Sequence, residues 1–383
     1  MNNLNAQRVN SVKTSLFGKG AINMLPDELK KKGVKRGLII TDKFLYETKI
    51  AEKVGEKLLE AEVEYAIYFN VKPNPTVDIV NECLEAVLAL EVDLIVAVGG
   101  GSPIDTAKAV SIVAKNGGNI QDYEGVGKSK KPGIPIVAIN TTAGTGSEVT
   151  AFYVVTDEER HSKMVMFDVN CVVDIAINDI DFMLSMPKSL TSATGMDALT
   201  HGIEAALSTR ATCYTDKDAY WAIETIAEFL PKVVENGNDL EARTMMAYAQ
   251  NVAGQAFSNA GLGMVHAMAH SLGGKLNLPH GICNSLLLPY VLEYYYTQDE
   301  YKYRLKKITK HLCGGKCPLK FIKELMISMD MPTAIKDIVD LQSDDFEDLT
   351  DLALIDTCLD DNLVKPSRKD VLDVYRKAYL GTL

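Results

Sequence analysis

A change in hydrophobic period about halfway along the chain constrains the fold more than any other feature. In the first half, short apolar segments alternate with segments of helical spacing. Strands are predicted at residues 34–41, 65–70, 93–98 and 134–139, with helices at 43–59, at 77–90 and after 101. Such alternation is typical of a parallel sheet that carries helices on both faces. Residues 152–156 and 162–167 are more typical of a hairpin.

Beyond about residue 185 the strand pattern stops and helical spacing replaces it. The predicted helices span residues 191–207, 215–236, 240–257, 264–272 and 282–296, with shorter helices up to the C-terminus. A chain of 383 residues has room for two or three domains. We therefore expect an α/β domain with a Rossmann-like parallel sheet over residues 1–183 and an all-α domain over residues 184–383.

Composition excludes several classes of protein. The chain has 40 Lys and Arg against 51 Asp and Glu, a net charge of -11, which disfavours nucleic acid and anionic membranes as partners. No apolar segment approaches the roughly 18 residues of a membrane helix, and residues 1–10 lack the pattern of a signal peptide. The seven scattered cysteines indicate reduced thiols, so we expect a cytoplasmic protein.

A glycine-rich turn joins the apolar segment 94–98 to a predicted helix. The three glycines at residues 99–101 precede Ser102, which is the predicted N-cap, Pro103 at the first helical position and Asp105 in a capping box. The free N–H groups of such a helix N-terminus suit a pyrophosphate. The alternative is a tight turn that binds nothing.

Two further features lie at the carboxyl ends of predicted strands. Residues 140–148 are rich in small hydroxyl residues and glycine, as expected of a ligand crevice in a doubly wound sheet. Asp42 follows an earlier strand, where a carboxylate can accept hydrogen bonds from a ribose and repel a 2′-phosphate. This favours NAD over NADP, although Asp42 could equally be the N-cap of the next helix.

Four of the six histidines fall in one stretch of the predicted helical domain. Asp197 and His201 are four residues apart, as are His266 and His270, and His280 follows in a turn. Residues four apart share one face of a helix, and five such buried groups would be costly without a common partner. The set predicts a catalytic divalent metal site. Its five groups are one more than a tetrahedral protein site needs, so one of them is expected to transfer protons. Fe²⁺, Zn²⁺, Mn²⁺, Co²⁺ and Ni²⁺ all suit these ligands.

Together these motifs resemble the iron-dependent, or group III, alcohol dehydrogenase family. The branch of lactaldehyde reductase, 1,3-propanediol dehydrogenase and butanol dehydrogenase is the most similar. The motifs that carry the resemblance are GGGSPIDTAK at 99–108, TTAGTGSEVT at 141–150, GMDALTH at 195–201, and the histidines and PHG within 266–281. These four motifs follow one another along nearly the whole chain, which makes the resemblance specific. It implies a dehydroquinate synthase-like architecture with a dinucleotide-binding domain followed by a metal-binding catalytic domain.

The resemblance also implies roles for individual residues. The metal ligands would be Asp197, His201, His266 and His280, and His270 would be the catalytic proton relay. The residues at the cofactor would be Asp42, Gly100, Gly101, Ser102, Asp105, Thr141, Thr142, Thr145, Lys163 and His270. Lys163 could instead be an exposed strand lysine. Phe257 and Cys358 would border the substrate pocket. Cys283 stands where relatives often have a small apolar residue, and it could be sensitive to oxidation or simply pack.

The expected activity is the reversible, NAD(H)-linked interconversion of a small primary alcohol or diol and its aldehyde. NAD(H) would be preferred over NADP(H), and the metal would be Fe²⁺, with Zn²⁺ as the alternative. By resemblance, the protein would be a homodimer or larger homo-oligomer. One alternative is a zinc-dependent polyol oxidoreductase of the glycerol dehydrogenase type. A metallohydrolase is another, but it would not need Asp42 or the crevice motifs. A non-catalytic nucleotide-binding protein is disfavoured because every proposed catalytic position is filled.

Overall fold

The structure, a computed structural model, describes Ala6 and residues 8–160 and 162–383, which form two compact units. We call them the sheet unit, which consists of Asn10–Thr142 and Gly146–Ser185, and the helical unit, which consists mainly of Met186–Leu383. The helical unit also includes Ala143–Thr145 and residues 6, 8 and 9. Part of the segment 1–10, which is predicted to lack a signal peptide, lies outside the described residues.

The sheet unit alternates strands and helices along most of its length. Its strands are β1 (Thr14–Phe17), β2 (Arg36–Asp42), β3 (Glu64–Val71), β4 (Leu94–Gly99), β5 (Gly125–Val126), β6 (Ile136–Asn140), β7 (Phe152–Asp157), β8 (Ser162–Phe167) and β9 (Ile175–Asn178). Its α-helices are α1 (Leu25–Lys32), α2 (Lys43–Glu47), α3 (Ile50–Glu60), α4 (Val77–Ala89), α5 (Gly101–Asn116) and α6 (Ile180–Met183). Short 3₁₀ helices lie at Ala21–Met24, Ile120–Tyr123, Ser147–Val149 and Val169–Cys171.

Six strands form the main sheet in the order β1-β9-β6-β4-β2-β3, and each neighbouring pair is parallel. A smaller sheet has the order β5-β8-β7, in which β7 and β8 are the antiparallel pair expected at residues 152–167. The α/β class predicted for this half of the chain is therefore confirmed.

Apolar cores lie on both faces of the main sheet, as β4 illustrates. Its residues Leu94, Val96 and Val98 belong to a core that includes apolar residues of α1 and α3. Ile95 and Ala97 belong to the opposite core with residues of α4 and α5. Because successive side chains of a strand point to opposite faces, a strand buried on both faces is an uninterrupted apolar run.

Two details of the sheet unit differ from the sequence prediction. The helix expected at residues 43–59 is two helices, since Lys49 takes a left-handed conformation with φ 64° between α2 and α3. The strands β1 and β9 were not predicted. Each has only four residues, and β9 fits in the sheet by pairing with β1 on one side and β6 on the other.

The helical unit is built around α7, which contacts α8, α9 and α11 and is buried along most of its length. Its helices are α7 (Lys188–Leu207), α8 (Cys213–Glu235), α9 (Leu240–Ala260), α10 (Met264–Leu276), α11 (His280–Tyr296), α12 (Lys302–Cys313), α13 (Pro318–Ser328), α14 (Ser343–Leu354) and α15 (Arg368–Leu380). Its 3₁₀ helices are Asp299–Tyr301, Ile335–Asp337 and Thr357–Asp361. Among the described helices, none combines the length and apolarity needed to cross a bilayer.

Candidate functional site

Three helices of the helical unit bring a carboxylate and three imidazoles together. Asp197 and His201 lie on α7, His266 lies in the first turn of α10, and His280 begins α11. The Oδ1 atom of Asp197 is 3.7 Å from the Nε2 of His201, 3.8 Å from that of His266 and 3.6 Å from that of His280. The side chains of Asp197, His201 and His266 are buried, and that of His280 is 28% exposed.

This donor set fits a divalent metal ion. Two ligand atoms that are each bonded to one tetrahedral ion lie about 3.4 Å apart, close to the distances from Asp197 to the imidazoles. Burial lowers the pKa of His201 to about 4 and that of His266 to about 3, which keeps both rings neutral at pH 7. A neutral imidazole has a lone pair to offer to a metal. The four residues can therefore hold an ion without first losing protons from the two buried rings.

Asn284 lies against the same four residues and was not predicted. Its Nδ2 donates to Asp197 Oδ1 at 2.6 Å and lies 3.2 Å from the Nε2 atoms of His266 and His280. The side chain is fully buried. One polar hydrogen-bond donor is thus placed where three ligand atoms converge. Its position four residues after His280 on α11 is the i,i+4 spacing that could have identified it.

His270 lies one turn after His266 on α10 and pairs with a carboxylate. Its Nδ1 is 2.8 Å from Oδ2 of Asp356, and its ring stacks on that of His280 with centroids 5.3 Å apart. Burial raises the pKa of Asp356, but the charge and hydrogen bond of His270 outweigh this effect and hold the pKa at about 2. Asp356 was not predicted, since it is far from His270 in sequence and no motif marks it.

His266 pairs with another carboxylate, that of Glu204, which was not predicted. Oε2 of Glu204 is 2.6 Å from Nδ1 of His266, and both side chains are buried. Burial raises the pKa of Glu204 to about 7, although backbone N–H donors, including that of Val265, oppose the rise. Glu204 is three residues after His201 on α7, so helical spacing could have placed it on the same face.

Phe257 and Cys358 border this cluster. The ring of Phe257 stacks on that of His201 with centroids 4.3 Å apart. The sulfur of Cys358 lies within 4.8 Å of ligand atoms of His270 and Asp356, and burial raises the pKa of this thiol well above its ordinary value. Cys283, also fully buried, packs inside the helical unit. The ring of Phe257 and the thiol of Cys358 therefore both lie next to the polar cluster.

In the sheet unit, the glycine turn leads from β4 into α5, but its capping differs from the prediction. Gly100, not Ser102, is the N-cap, because the helix already begins at Gly101. The capping box predicted for Asp105 is also wrong. Its Oδ1 accepts from Ser147 Oγ at 2.6 Å and its Oδ2 from the Val154 backbone at 3.1 Å. Burial raises the pKa of Asp105, whose two oxygens connect α5 to the loop that follows β6 and to strand β7.

The turn and the loop after β6 lie side by side. A Cβ atom at Gly100 would lie 2.9 Å from Cγ2 and Oγ1 of Thr142, so only glycine allows this close approach. The backbone N–H of Thr141 donates to Gly99 at 3.1 Å. The structure therefore brings Gly100, Thr141 and Thr142 together, whereas Thr145 belongs to the helical unit.

Asp42 and Lys163 lie on strands of the sheet unit. Asp42 ends β2, the neighbour of β4, and caps α2 by accepting from the Leu45 backbone at 2.9 Å. The N-cap alternative is thus present in the structure, and it uses only one of the two carboxylate oxygens. Lys163, on β8, is half-buried and donates to the side chain of Asn74 at 2.9 Å. Lys163 is therefore not simply an exposed lysine.

Comparison with known proteins covers both units. A family model described as iron-containing alcohol dehydrogenase matches residues 13–180, and the C-terminal model of the same family matches residues 191–379. Lactaldehyde reductase of Escherichia coli is 38% identical over 384 residues, which cover 98% of this chain and the whole of that protein.

Solved structures are similar over the same span. A 1,3-propanediol oxidoreductase structure superposes with a TM-score of 0.93 at 36% identity, covering 98% of this chain and all of the other. Sulfoacetaldehyde reductase from Bifidobacterium kashiwanohense, solved in complex with NAD⁺, has a TM-score of 0.89 at 27% identity, with 98% and 99% of the two chains covered. The sequence and the fold therefore point to the same group of proteins.

Proposed function

This chain belongs to the iron-containing alcohol dehydrogenase family, with the dehydroquinate synthase-like fold of that family, and we propose that it interconverts a small primary alcohol or diol and its aldehyde with NAD(H). It is an oxidoreductase. The observation that carries the proposal is the convergence of three imidazole Nε2 atoms on one oxygen of Asp197.

The helical domain, residues 184–383, would supply the metal ligands Asp197, His201, His266 and His280. A divalent metal held there supplies Lewis acidity that favours the alkoxide over the alcohol, and a nicotinamide supplies or accepts the hydride. We propose Fe²⁺ as the metal because the matched family is iron-containing. Zinc, as in the polyol-oxidoreductase alternative, has equally suitable ligands here.

The sheet domain, residues 1–183, would bind the dinucleotide. The backbone N–H groups of Gly101 and Ser102 at the start of α5 would bind the pyrophosphate, and Gly100 leaves room for it. Asp42 would accept from the adenosine ribose with the oxygen that does not cap α2, which favours NAD(H) over NADP(H). Asp105 would act indirectly, by fixing the Ser147 loop. Further cofactor contacts would come from Thr141, Thr142, Thr145 and Lys163.

His270 would move the proton of the alcohol at its Nε2 atom. Its Nδ1 faces Asp356, which orients the ring and leaves Nε2 for proton exchange. It would also contact the cofactor. Phe257 and Cys358 are buried, and would exclude water and shape the pocket for the carbon chain of the substrate.

We also propose that the protein is cytoplasmic and assembles as a homodimer or larger homo-oligomer. None of the seven cysteines forms a disulfide in the structure, which suits a reducing compartment. The oligomer is proposed from the family alone. A hydrolase remains disfavoured, because hydrolysis would leave the crevice residues around Gly100 and Asp42 without a role.

An anaerobic substrate panel tests the proposed function. Metal-stripped protein is reloaded with Fe²⁺ or Zn²⁺, and NADH oxidation is followed with short aldehydes, a ketone and an oxidised polyol. We expect oxidation with short aldehydes that depends on added metal and is fastest with Fe²⁺. Faster turnover of the polyol substrate with Zn²⁺ would favour the glycerol dehydrogenase type. NADH that is not oxidised with any partner would contradict the dehydrogenase assignment.

A further inference from the structure

Glu204 is a buried carboxylate that is neither a proposed metal ligand nor a proposed cofactor or proton-transfer residue. It lies on α7 with 2% of its surface exposed. Its Oε2 atom is 2.6 Å from Nδ1 of His266, and its Oε1 accepts from the Val265 backbone at 2.6 Å. One carboxylate therefore contacts both the ring of His266 and the backbone of the helix that carries it.

The contact with Nδ1 determines which nitrogen of His266 faces the cluster. A neutral imidazole has one N–H and one lone pair, and the hydrogen bond made by one nitrogen sets the role of the other. Both oxygens of Glu204 accept from backbone N–H groups, Oε1 from Val265 at 2.6 Å and Oε2 from His266 at 3.4 Å. As an acceptor, Oε2 holds the proton of the ring on Nδ1 and leaves the lone pair on Nε2. That atom lies 3.8 Å from Asp197 Oδ1. From this geometry we propose that Glu204 is the positioning residue that makes His266 a metal ligand, an inference that rests on the proposed function.

The carboxylate of Glu204 also caps the start of α10. The N-cap of α10 is Gly263, which has no side chain to cap the helix, and Glu204 accepts from the first-turn N–H of Val265 in its place. A Cβ atom at Gly263 would lie 2.9 Å from Glu204 Oε1. The same group therefore fixes the position of the first turn and the orientation of the imidazole within it.

An amide in place of the carboxylate cannot satisfy both contacts. In Glu204→Gln, an oxygen turned toward His266 puts the NH₂ group against the Val265 N–H, and two donors then face each other. With the opposite orientation, the NH₂ group faces Nδ1, and the ring must carry its proton on Nε2. The first arrangement loses the cap and the second removes the ligand lone pair. Neither arrangement changes the size of the side chain.

The test compares metal binding by the full-length wild type, Glu204→Gln and Asp239→Asn. Asp239 caps α9 through the Ala242 N–H at 2.9 Å and is the matched control for losing a carboxylate cap. Metal-stripped proteins are titrated with Co²⁺ under nitrogen, with calorimetry and the visible spectrum of bound Co²⁺ as readouts. Melting temperatures are measured with and without the metal.

For Glu204→Gln we expect Co²⁺ affinity to fall by about 10- to 100-fold, with a changed spectrum and a smaller metal-induced rise in melting temperature. Asp239→Asn should bind Co²⁺ as the wild type does. If Glu204→Gln does not fold, Gly263→Ala replaces it. Its methyl group would lie 2.9 Å from Glu204 Oε1 and 2.8 Å from Asn362 Oδ1, so it displaces Oε1 without changing charge, and the same loss is expected. Asn362→Ala, which removes the second contact alone, should bind Co²⁺ as the wild type does. If a folded Glu204→Gln or Gly263→Ala variant binds Co²⁺ with wild-type affinity, the role of Glu204 is refuted, but the proposed metal site and function are not. A wild type that binds no Co²⁺ would overturn the proposed metal site and this inference together.

Discussion

The Nδ1 atom of His270 lies 2.8 Å from Oδ2 of Asp356, a partly buried carboxylate that is distant in sequence within the helical unit. One turn earlier on the same helix, His266 makes the equivalent contact with Glu204. The two rings thus present their Nε2 atoms away from their carboxylates. The surroundings of the two rings differ, because the Nε2 of His266 lies 3.8 Å from Asp197 Oδ1, whereas His270 is grouped with Asp356 and Cys358. This difference suits a ligand role for His266 and a proton-transfer role for His270.

Removing the carboxylate next to His270 should slow proton transfer. The two oxygens of Asp356 face His270 Nδ1 and the Cys358 backbone N–H, and in Asp356→Asn one of them becomes an NH₂ group, so one of these contacts is lost. We expect kcat to fall by about tenfold or more and the pH optimum of kcat to move. Steady-state kinetics across pH, with a constant metal content, measure this effect. Asp360→Asn, at an exposed position of the same segment, is the control and should be unaffected. Equal pH profiles for the three proteins would refute the role of Asp356.

The same pair should affect stability in acid. The pKa of Asp356 in the folded protein is about 2, below its ordinary value of 3.8, so its ionised form favours folding above that ordinary value. As the pH falls from about 4 to about 2, this contribution, on the order of 2 kcal/mol, should be lost. Urea unfolding of metal-free protein over this range measures it. Asp356→Asn should show a smaller loss than the wild type, and an identical loss would argue against the pair.

Asp42 should control the choice between NAD and NADP. Asp42→Ser keeps an N-cap for α2 but removes the negative charge that would repel a 2′-phosphate. We therefore expect the ratio of kcat/KM for NADPH to that for NADH to rise at least about tenfold. Asp239→Ser, which changes the cap of α9 in the same way, should leave the ratio as it is. An unchanged ratio in Asp42→Ser would mean that Asp42 only caps its helix.

His266→Ala should remove a metal ligand. We expect the purified variant to retain little metal and to lose at least about 100-fold in aldehyde reduction, because the ion would lose a ligand from the centre of the cluster. His311→Ala is the control. His311 pairs with Glu224 at 3.1 Å on another part of the helical unit, so its removal should change neither quantity. Full metal content and full activity in His266→Ala would exclude it as a ligand.

Sequence patterns predicted the elements that have a clear hydrophobic pattern of their own. The strand β4 is an uninterrupted apolar run, and the long helices α7 to α11 have clear helical spacing, so both appear in the sequence. The strand β9 does not, because its four residues are held by neighbours that are distant in sequence. Similarly, α5 begins at Gly101, and Gly100 packs closely against Thr142, a tertiary contact that a capping pattern cannot reveal.

The candidate site, too, was predicted only where a local sequence pattern marks its residues. Asp197, His201, His266 and His280 were predicted because two helical spacings and a turn motif mark them, and the structure brings them together. The residues that orient them were missed. Glu204 and Asn284 share helix faces with predicted residues, but a buried Glu or Asn has many ordinary explanations. Asp356 reaches His270 only through the tertiary fold, so no local pattern could have identified it.

Deuterium transfer from the cofactor tests the central claim most directly. Iron-reconstituted protein is incubated under nitrogen with NADH deuterated on both hydrogens of nicotinamide C4 and with a short aldehyde, and the alcohol product is examined by mass spectrometry. A dehydrogenase that transfers hydride directly gives an alcohol with one deuterium on its carbinol carbon, only when metal is present. An alcohol without deuterium, or no alcohol from any aldehyde in the panel, would contradict the account.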